Sequence, residues 1–176
     1  MLEIEQPGHQ PWLCRGPPLS GREEPRPFPI KHLPVDQRRH ARGVGVIARV
    51  PLASGLLTSK MSAQTAFAAD DHRAFNRNGE AFDKGETFAG VPYDVALDAV
   101  EEIRALLQPG QSMAEFALRW ILMDAGVTTV IPGAKTAAQA RANAGASDQQ
   151  AIPDATMQAI RAIYDERIAP HVHQLW

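Results

Sequence analysis

Apolar residues along the chain form two short β-branched runs and several stretches with helical spacing. The runs at 43–50 and 127–131 are rich in valine and isoleucine, and each stops at a proline, which predicts two buried strands. Four helices are predicted from apolar spacing and from start and stop residues: 93–107, 112–126, 136–144 and 153–168. Strands that alternate with helices in this order indicate a parallel α/β architecture.

The segment between the first strand and the first helix, 59–92, is long and polar. It contains several chain breakers, including Asn76, yet Phe67, Phe75, Phe82 and Phe88 recur along it. A connection of this length in a compact domain is typically a lid or a binding loop. The alternative is that the phenylalanines simply pin a long loop to the body, and the sequence leaves both interpretations open.

The first 42 residues differ in composition from the rest. Eight of the 14 prolines fall within 1–34, which excludes helices and central strands there. The segment also has no apolar period, so we predict a disordered tail at 1–42 and a folded part at 43–176. The prolines could present a polyproline II ligand, although a tail without a partner is the simpler interpretation.

Charge and cysteine content narrow the function classes. A net charge of −2 argues against nucleic-acid binding through phosphate neutralisation. No apolar run approaches the roughly 20 residues that cross a bilayer, so no membrane association is expected. The lone Cys14 excludes an intramolecular disulfide and a multi-cysteine zinc site, and no secretory signal precedes it. We therefore expect a cytoplasmic protein.

Unusual residues follow the second predicted strand. Gly133 and Ala134 would let a ligand approach the backbone, and Lys135 adds a positive charge just before a helix N-terminus, which attracts anions. Gln139 and Asn143 are four residues apart and share one helix face, where they could bind an aromatic base. The pattern fits a phosphate or nucleotide site, and it also fits an ordinary strand-to-helix turn.

Three segments together resemble the aldo/keto reductase family: 43–58, 117–123 and 129–136, the last with Gln139 and Asn143 behind it. The resemblance implies a (β/α)₈ TIM-type barrel that uses NADPH to reduce the carbonyl group of a small aldehyde or ketone. These segments match the last two strand–helix units and the C-terminal helix. The implied fold is therefore an α/β fold, an incomplete barrel whose first six units have no counterpart here.

The resemblance also implies a cofactor site in two parts. The cofactor backbone would contact Leu52, Ala53, Gly55, Leu57 and Lys60. The 2′-phosphate would lie against Gly133, Ala134 and Lys135, and the adenine against Gln139 and Asn143. Two positions depart from the family pattern: Ser59 replaces a common glycine, and Ala142 lacks a carboxylate that often precedes the asparagine.

No catalytic residue is predicted in this chain. The family's Asp, Tyr, Lys and His tetrad comes from the first half of the barrel, where the Tyr protonates the carbonyl oxygen. Tyr93 and Tyr164 lie on apolar helix faces and are predicted to be core residues. Two functions remain open: a carbonyl reductase with part of an NADPH site, and a non-catalytic nucleotide binder or barrel-completing fragment.

Asp70, Asp71, His72, His171 and His173 lack metal-ligand spacing, so no metal site is expected. A barrel piece with two strands exposes an edge on each side, which predicts self-association or docking to another chain. Because family-like sequence begins abruptly at 43, we hypothesise a truncated gene or reading frame, with 1–42 foreign to it.

Overall fold

The two predicted strands pair with each other in parallel. In the computed structural model, which describes residues 44–175, they are β1 (Ile47–Arg49) and β2 (Thr129–Ile131). Ile47 lies opposite Thr129, and Arg49 lies opposite Ile131. The parallel α/β pairing is therefore confirmed. The predicted tail at 1–42 and Cys14 lie outside the described residues.

The described part of the chain contains six α-helices, in which the four predicted ones keep their order and two short ones are additional. Their bounds are α1 (His72–Phe75), α2 (Tyr93–Arg104), α3 (Met113–Leu122), α4 (Ala137–Gly145), α5 (Asp154–Ile163) and α6 (Ala169–Val172). A π-helical turn, Tyr164–Ile168, joins α5 to α6 and accounts for the long pattern predicted there. None of the described helices is long and apolar enough to cross a membrane.

The predicted capping residues start their helices. The Ser112 hydroxyl accepts a hydrogen bond from the Glu115 amide at 3.4 Å, and Thr136 accepts one from the Gln139 amide at 3.2 Å. Such caps satisfy amides that have no partner inside the helix. The second predicted helix ends at Leu122, four residues before Gly126.

The prediction that both strands are buried is wrong. Ile47 is 62% exposed and Ile131 is 56% exposed, and each strand is only three residues long. A parallel strand becomes buried when further strands flank it and helices cover both faces. Within residues 44–175 the sheet has only these two strands, so their β-branched side chains face solvent.

Burial is concentrated among the helices instead. One cluster joins α2 to the segment after β1 and to the C-terminal α6; its buried members are Leu56, Phe88, Val91, Ala96, Val100, Met113 and Val172. A second cluster, Phe116, Ile152 and Met157, joins α3 to α5. Leu118, also on α3, is fully buried.

Part of the long connection is pinned to the body: Phe88 is buried in the first of these clusters and Phe67 packs against it, whereas Phe75 and Phe82 are 42% and 44% exposed and pack on each other. The interpretation as a pinned loop therefore holds for two of the four phenylalanines. Phe88 is 1% exposed and packs on Tyr93 with ring centroids 4.9 Å apart. Asn76, which the sequence presents only as a chain breaker, is fully buried. Its side-chain oxygen, Oδ1, accepts hydrogen bonds from the backbone amides of Ala81 at 2.9 Å and Phe82 at 2.7 Å. Its side-chain nitrogen, Nδ2, donates to the Thr87 hydroxyl at 3.3 Å.

Candidate functional site

Strand register brings the two predicted site segments to one edge of the sheet. Arg49 ends β1 directly opposite Ile131, which ends β2. Because the strands are parallel, the chain leaves both of them at the same edge. The segments after them, 50–60 and 132–143, contain all ten residues predicted to contact the cofactor. Ligands of parallel α/β folds bind at this carboxyl edge.

The first segment forms an irregular turn, Ala53–Thr58, whose first three residues have positive φ values, as does Ser59 after it. Ala53 has a φ of 47°, Ser54 of 55°, Gly55 of 98° and Ser59 of 57°. Only glycine adopts this region without strain, so three of these four residues are held against their own preference. A Cβ on Gly55 would lie 2.8 Å from the Met61 methyl carbon, the far end of a flexible side chain that can shift, so the positive φ is the main reason for a glycine here.

Contacts with the interior hold this turn. Leu56 is buried in the main cluster, and Ala53 and Leu57 pack against that cluster. The Phe88 amide donates to the Ser54 hydroxyl at 3.3 Å, which links the turn to the far end of the long connection. Lys60 is exposed at the end of the turn. Ala53 and Leu57, two of the five residues of this segment that were predicted to contact the cofactor, therefore also contribute to the core.

A buttress behind the turn was not predicted from the sequence. The Arg73 guanidinium donates to the Ser54 carbonyl oxygen at 3.3 Å and pairs with the Asp71 carboxylate through two nitrogens. The Arg73 hydrogen bond holds the pKa of the Asp71 carboxyl well below its usual range, and the same bond raises the pKa of Arg73. Only the folded connection brings these side chains to residue 54, so local sequence carries no signal for them.

The second segment is open to solvent. Gly133 has a φ of 69°, and no atom lies within 4 Å of the place where a Cβ would stand. Gly133, Ala134 and Lys135 are all exposed. The backbone here is therefore accessible to a ligand, next to a lysine ammonium and the N-terminus of α4.

Gln139 and Asn143 hydrogen-bond this loop from the first turns of α4. The Lys135 amide donates to the Gln139 side-chain oxygen at 2.7 Å, and the Asn143 side-chain nitrogen donates to the Gly133 carbonyl at 2.9 Å. Both amides thus order the loop in this structure. Their predicted contact with adenine stays a prediction.

Both tyrosines of the chain are tied to neighbouring groups. The Tyr93 hydroxyl donates to the Ser62 carbonyl at 3.0 Å, and the Tyr164 hydroxyl lies 3.0 Å from His173 Nδ1. Burial raises the pKa of Tyr164, and the Asp165 charge adds to this shift.

No group of three His, Cys, Asp or Glu side chains within 44–175 could hold a metal ion.

An apolar cavity of about 380 Å³ lies among the turn, α2, α3 and α5. Its lining includes Leu57, Val100, Phe116, Trp120 and Ile160. The indole nitrogen of Trp120 is buried and has no hydrogen-bond partner. Such a lining offers no cluster of charged groups for a phosphate, so the carboxyl edge of the sheet is the better candidate site.

Comparisons with known proteins fit this geometry. The model of the aldo/keto reductase family matches residues 35–165. L-glyceraldehyde 3-phosphate reductases from Escherichia coli O157:H7 and strain K12 are each 35% identical over 134 residues, 76% of this chain and 36% of theirs. The solved structure of a glycerol dehydrogenase from Gluconobacter oxydans superposes with a TM-score of 0.56 at 28% identity, covering 76% of this chain and 37% of that one.

The chain therefore belongs to the aldo/keto reductase family, as its motifs indicated. The family match covers most of the chain, including both segments at the carboxyl edge of the sheet. The chain spans just over a third of the length of the relatives it matches.

Proposed function

We propose that this chain carries part of an NADPH site at the carboxyl edge of the sheet. The turn at 52–60 would cover the pyrophosphate, and the loop at 133–135 would hold the 2′-phosphate. The observation that carries the proposal is the strand register, which starts both segments side by side. On this proposal the described part is the last two strand–helix units and the C-terminal helix of a (β/α)₈ barrel.

The residues present suit the cofactor's phosphates. Exposed backbone at Gly133 and Ala134 leaves room for a close approach, and the N-terminus of the nine-residue α4 favours negative charge. The Lys135 ammonium would donate a charge-assisted hydrogen bond to an oxygen of the 2′-phosphate. When bound, NADPH supplies the hydride for carbonyl reduction, the reaction type the family performs.

The substrate class follows the named relatives. L-glyceraldehyde 3-phosphate reductase and glycerol dehydrogenase act on small polyol or carbonyl compounds by their names. We extend this to a small hydroxylated aldehyde or ketone as the substrate class for the family activity. No residue of this chain is assigned the proton transfer to the carbonyl oxygen.

Titration with NADPH tests the cofactor site. We expect the purified chain to bind NADPH, seen as heat of binding and as a raised melting temperature. Lys135→Ala should weaken the affinity about tenfold, because a charge-assisted hydrogen bond contributes about 1.5 kcal/mol or more. Arg141→Ala, which removes an exposed positive charge from α4, six residues beyond Lys135, is the matched control and should change the affinity less than about twofold. Equal effects of the two variants, or no NADPH binding, would reject the site.

A second candidate function is that of a fragment that pairs with another chain. The exposed Ile47 and Ile131 favour it, since within residues 44–175 each strand has a partner on one side only. Sedimentation over a range of concentrations should then show association that Ile47→Lys or Ile131→Lys weakens. Leu175→Lys, at a side chain 65% exposed and outside the sheet, is the control. Carbonyl reduction by the pure monomeric chain would count against this candidate.

A further inference from the structure

The irregular turn Ala53–Thr58, with Ser59 directly after it, needs support from contacts outside itself. Ala53, Ser54 and Ser59 all have positive φ values, and each such residue costs about 1–2 kcal/mol relative to a right-handed conformation. Local hydrogen bonds offset part of this cost: the Gly55 and Leu57 amides donate to the Leu52 carbonyl at 2.9 and 3.2 Å, the Ser59 amide donates to the Leu56 carbonyl at 3.3 Å, and the Thr58 hydroxyl donates to the Gly55 carbonyl at 2.7 Å. Strained turns of this kind persist where the surrounding structure fixes them.

Arg73 reaches the centre of the turn from α1, nineteen residues further along the chain. One of its terminal nitrogens donates to the Ser54 carbonyl oxygen at 3.3 Å. The same nitrogen lies 3.5 Å from the position a Cβ would take on Gly55. The guanidinium therefore lies against Ser54 and Gly55, two adjacent residues with positive φ values.

The guanidinium is itself held in place from two other directions. Its Nε donates to Asp71 at 2.9 Å, and a second nitrogen donates to the other oxygen of the same carboxylate. Its central carbon, Cζ, lies over the Phe67 ring, 4.6 Å from the centroid. Asp71 also caps α1 by accepting from the Arg73 amide at 2.9 Å. A planar group fixed on both sides loses little freedom when it binds a third partner.

We propose that Arg73 is a positioning residue, which holds the Ser54–Gly55 backbone in the conformation that covers the cofactor, and that Asp71 orients it. This inference rests on the proposed NADPH site. Because Asp71 already neutralises the guanidinium, Arg73 acts through the turn and not as a phosphate ligand. Without it the turn spends only a fraction of the time in its binding conformation, and the apparent affinity falls by that fraction.

Arg73→Gln tests the proposal, with Arg77→Gln as its matched control. Arg77 lies 4.8 Å above the Tyr93 ring and donates to the Arg73 carbonyl, yet it makes no hydrogen bond to the turn. In Arg73→Gln we expect amide hydrogen exchange over 52–60 to quicken about tenfold and NADPH affinity to fall about tenfold. Arg77→Gln should change both by less than about twofold, and Arg73→Lys should restore part of the loss.

The measurements separate this proposal from the proposed function. Unchanged exchange over 52–60 in Arg73→Gln would overturn the positioning role, whether or not the cofactor binds. Faster exchange with wild-type NADPH affinity would also overturn it, because the turn would then not serve the cofactor. Faster exchange in every peptide, with a matching loss of urea stability, would assign Arg73 a general structural role instead. Failure of the wild-type chain to bind NADPH would reject the proposed function, and the exchange data would still decide whether Arg73 holds the turn.

Discussion

Ser54 and Gly133 lie in loops that leave the same edge of the sheet, yet different parts of the chain fix their conformations. The Ser54 turn is held by Arg73 and by the Phe88 amide, 19 and 34 residues away. The Gly133 loop is held by Gln139 and Asn143, both within ten residues of it. The conformation of the Ser54 turn therefore depends on residues distant in sequence, whereas that of the Gly133 loop depends on residues close to it in sequence.

Exposure follows the same division. Leu56 anchors the turn in the core, whereas no residue of α4 is buried. A short helix without a packed face depends on its caps and local hydrogen bonds. The two halves of the proposed site should therefore fail independently, and a substitution that disturbs one half should leave the other intact.

Asn76→Ala should have the largest effect and should act on the turn's half. It removes the acceptor of the Ala81 and Phe82 amides, whose bonds to Asn76 are half-buried, and it leaves the buried Thr87 hydroxyl without its donor, at a cost of about 1–3 kcal/mol for a buried unpaired group. We expect urea unfolding to show a loss of about 3 kcal/mol and hydrogen exchange to quicken over 52–92 well before 133–143. Asn78→Ala, at an exposed asparagine bonded only to Glu80, is the control and should stay within about 0.5 kcal/mol. Equal losses in both variants would contradict a role for Asn76 in ordering the connection.

Thr136→Ala should have a smaller effect and act on the other half. Loss of an N-cap costs about 1 kcal/mol, and here it falls on a helix with no buried residue. Exchange over 137–145 should therefore quicken while the urea midpoint changes little. Ser112→Ala removes a similar cap from α3, whose Leu118 is fully buried, and should lower the urea midpoint instead. A global loss from Thr136→Ala would show that α4 is coupled to the core.

This division explains what the sequence could predict. The caps at Ser112 and Thr136, the parallel strands and the family motifs depend on neighbouring residues, and the structure or the comparisons confirm them. The buttress at Arg73 and the buried amide of Asn76 depend on how 59–92 folds back, which no local pattern encodes. Strand burial was predicted wrongly for the same reason, because burial depends on neighbours outside the strand itself.

Ser59→Gly should stabilise the turn's half by about 1 kcal/mol. Ser59 has a φ of 57°, and its hydroxyl is buried without a hydrogen-bond partner, so the serine is unfavourable in two ways. Glycine removes both the backbone strain and the unpaired hydroxyl, and the gain should appear as a higher urea midpoint. Ser59→Ala separates the two causes, since it removes the hydroxyl and keeps the strain. If alanine stabilises as much as glycine, the left-handed backbone is not the source.

Acid should loosen the turn and leave the Gly133 loop unaffected. The Arg73 hydrogen bond holds the pKa of Asp71 below its ordinary value of about 3.9, so the pair stabilises the folded chain fully above that pH. As the pH falls below about 4, an unfolded chain takes up the proton first, and the contribution is lost towards the lowered pKa of the folded state. Exchange over 52–60, corrected for intrinsic rates, should therefore quicken between pH 5 and about pH 3.

The Gly133 loop provides the internal reference for this smallest effect, because 133–143 contains no aspartate or glutamate. Asp71→Asn keeps a residue type suited to the helix cap and removes the titrating group, so its turn should exchange at a rate that no longer depends on pH in this range. A turn in Asp71→Asn that still loosens with acid would place the sensitive group elsewhere. The wild-type turn could instead stay as protected from hydrogen exchange at pH 3 as the Gly133 loop. That result would show that Phe88 and the core hold Ser54 without the Arg73–Asp71 pair.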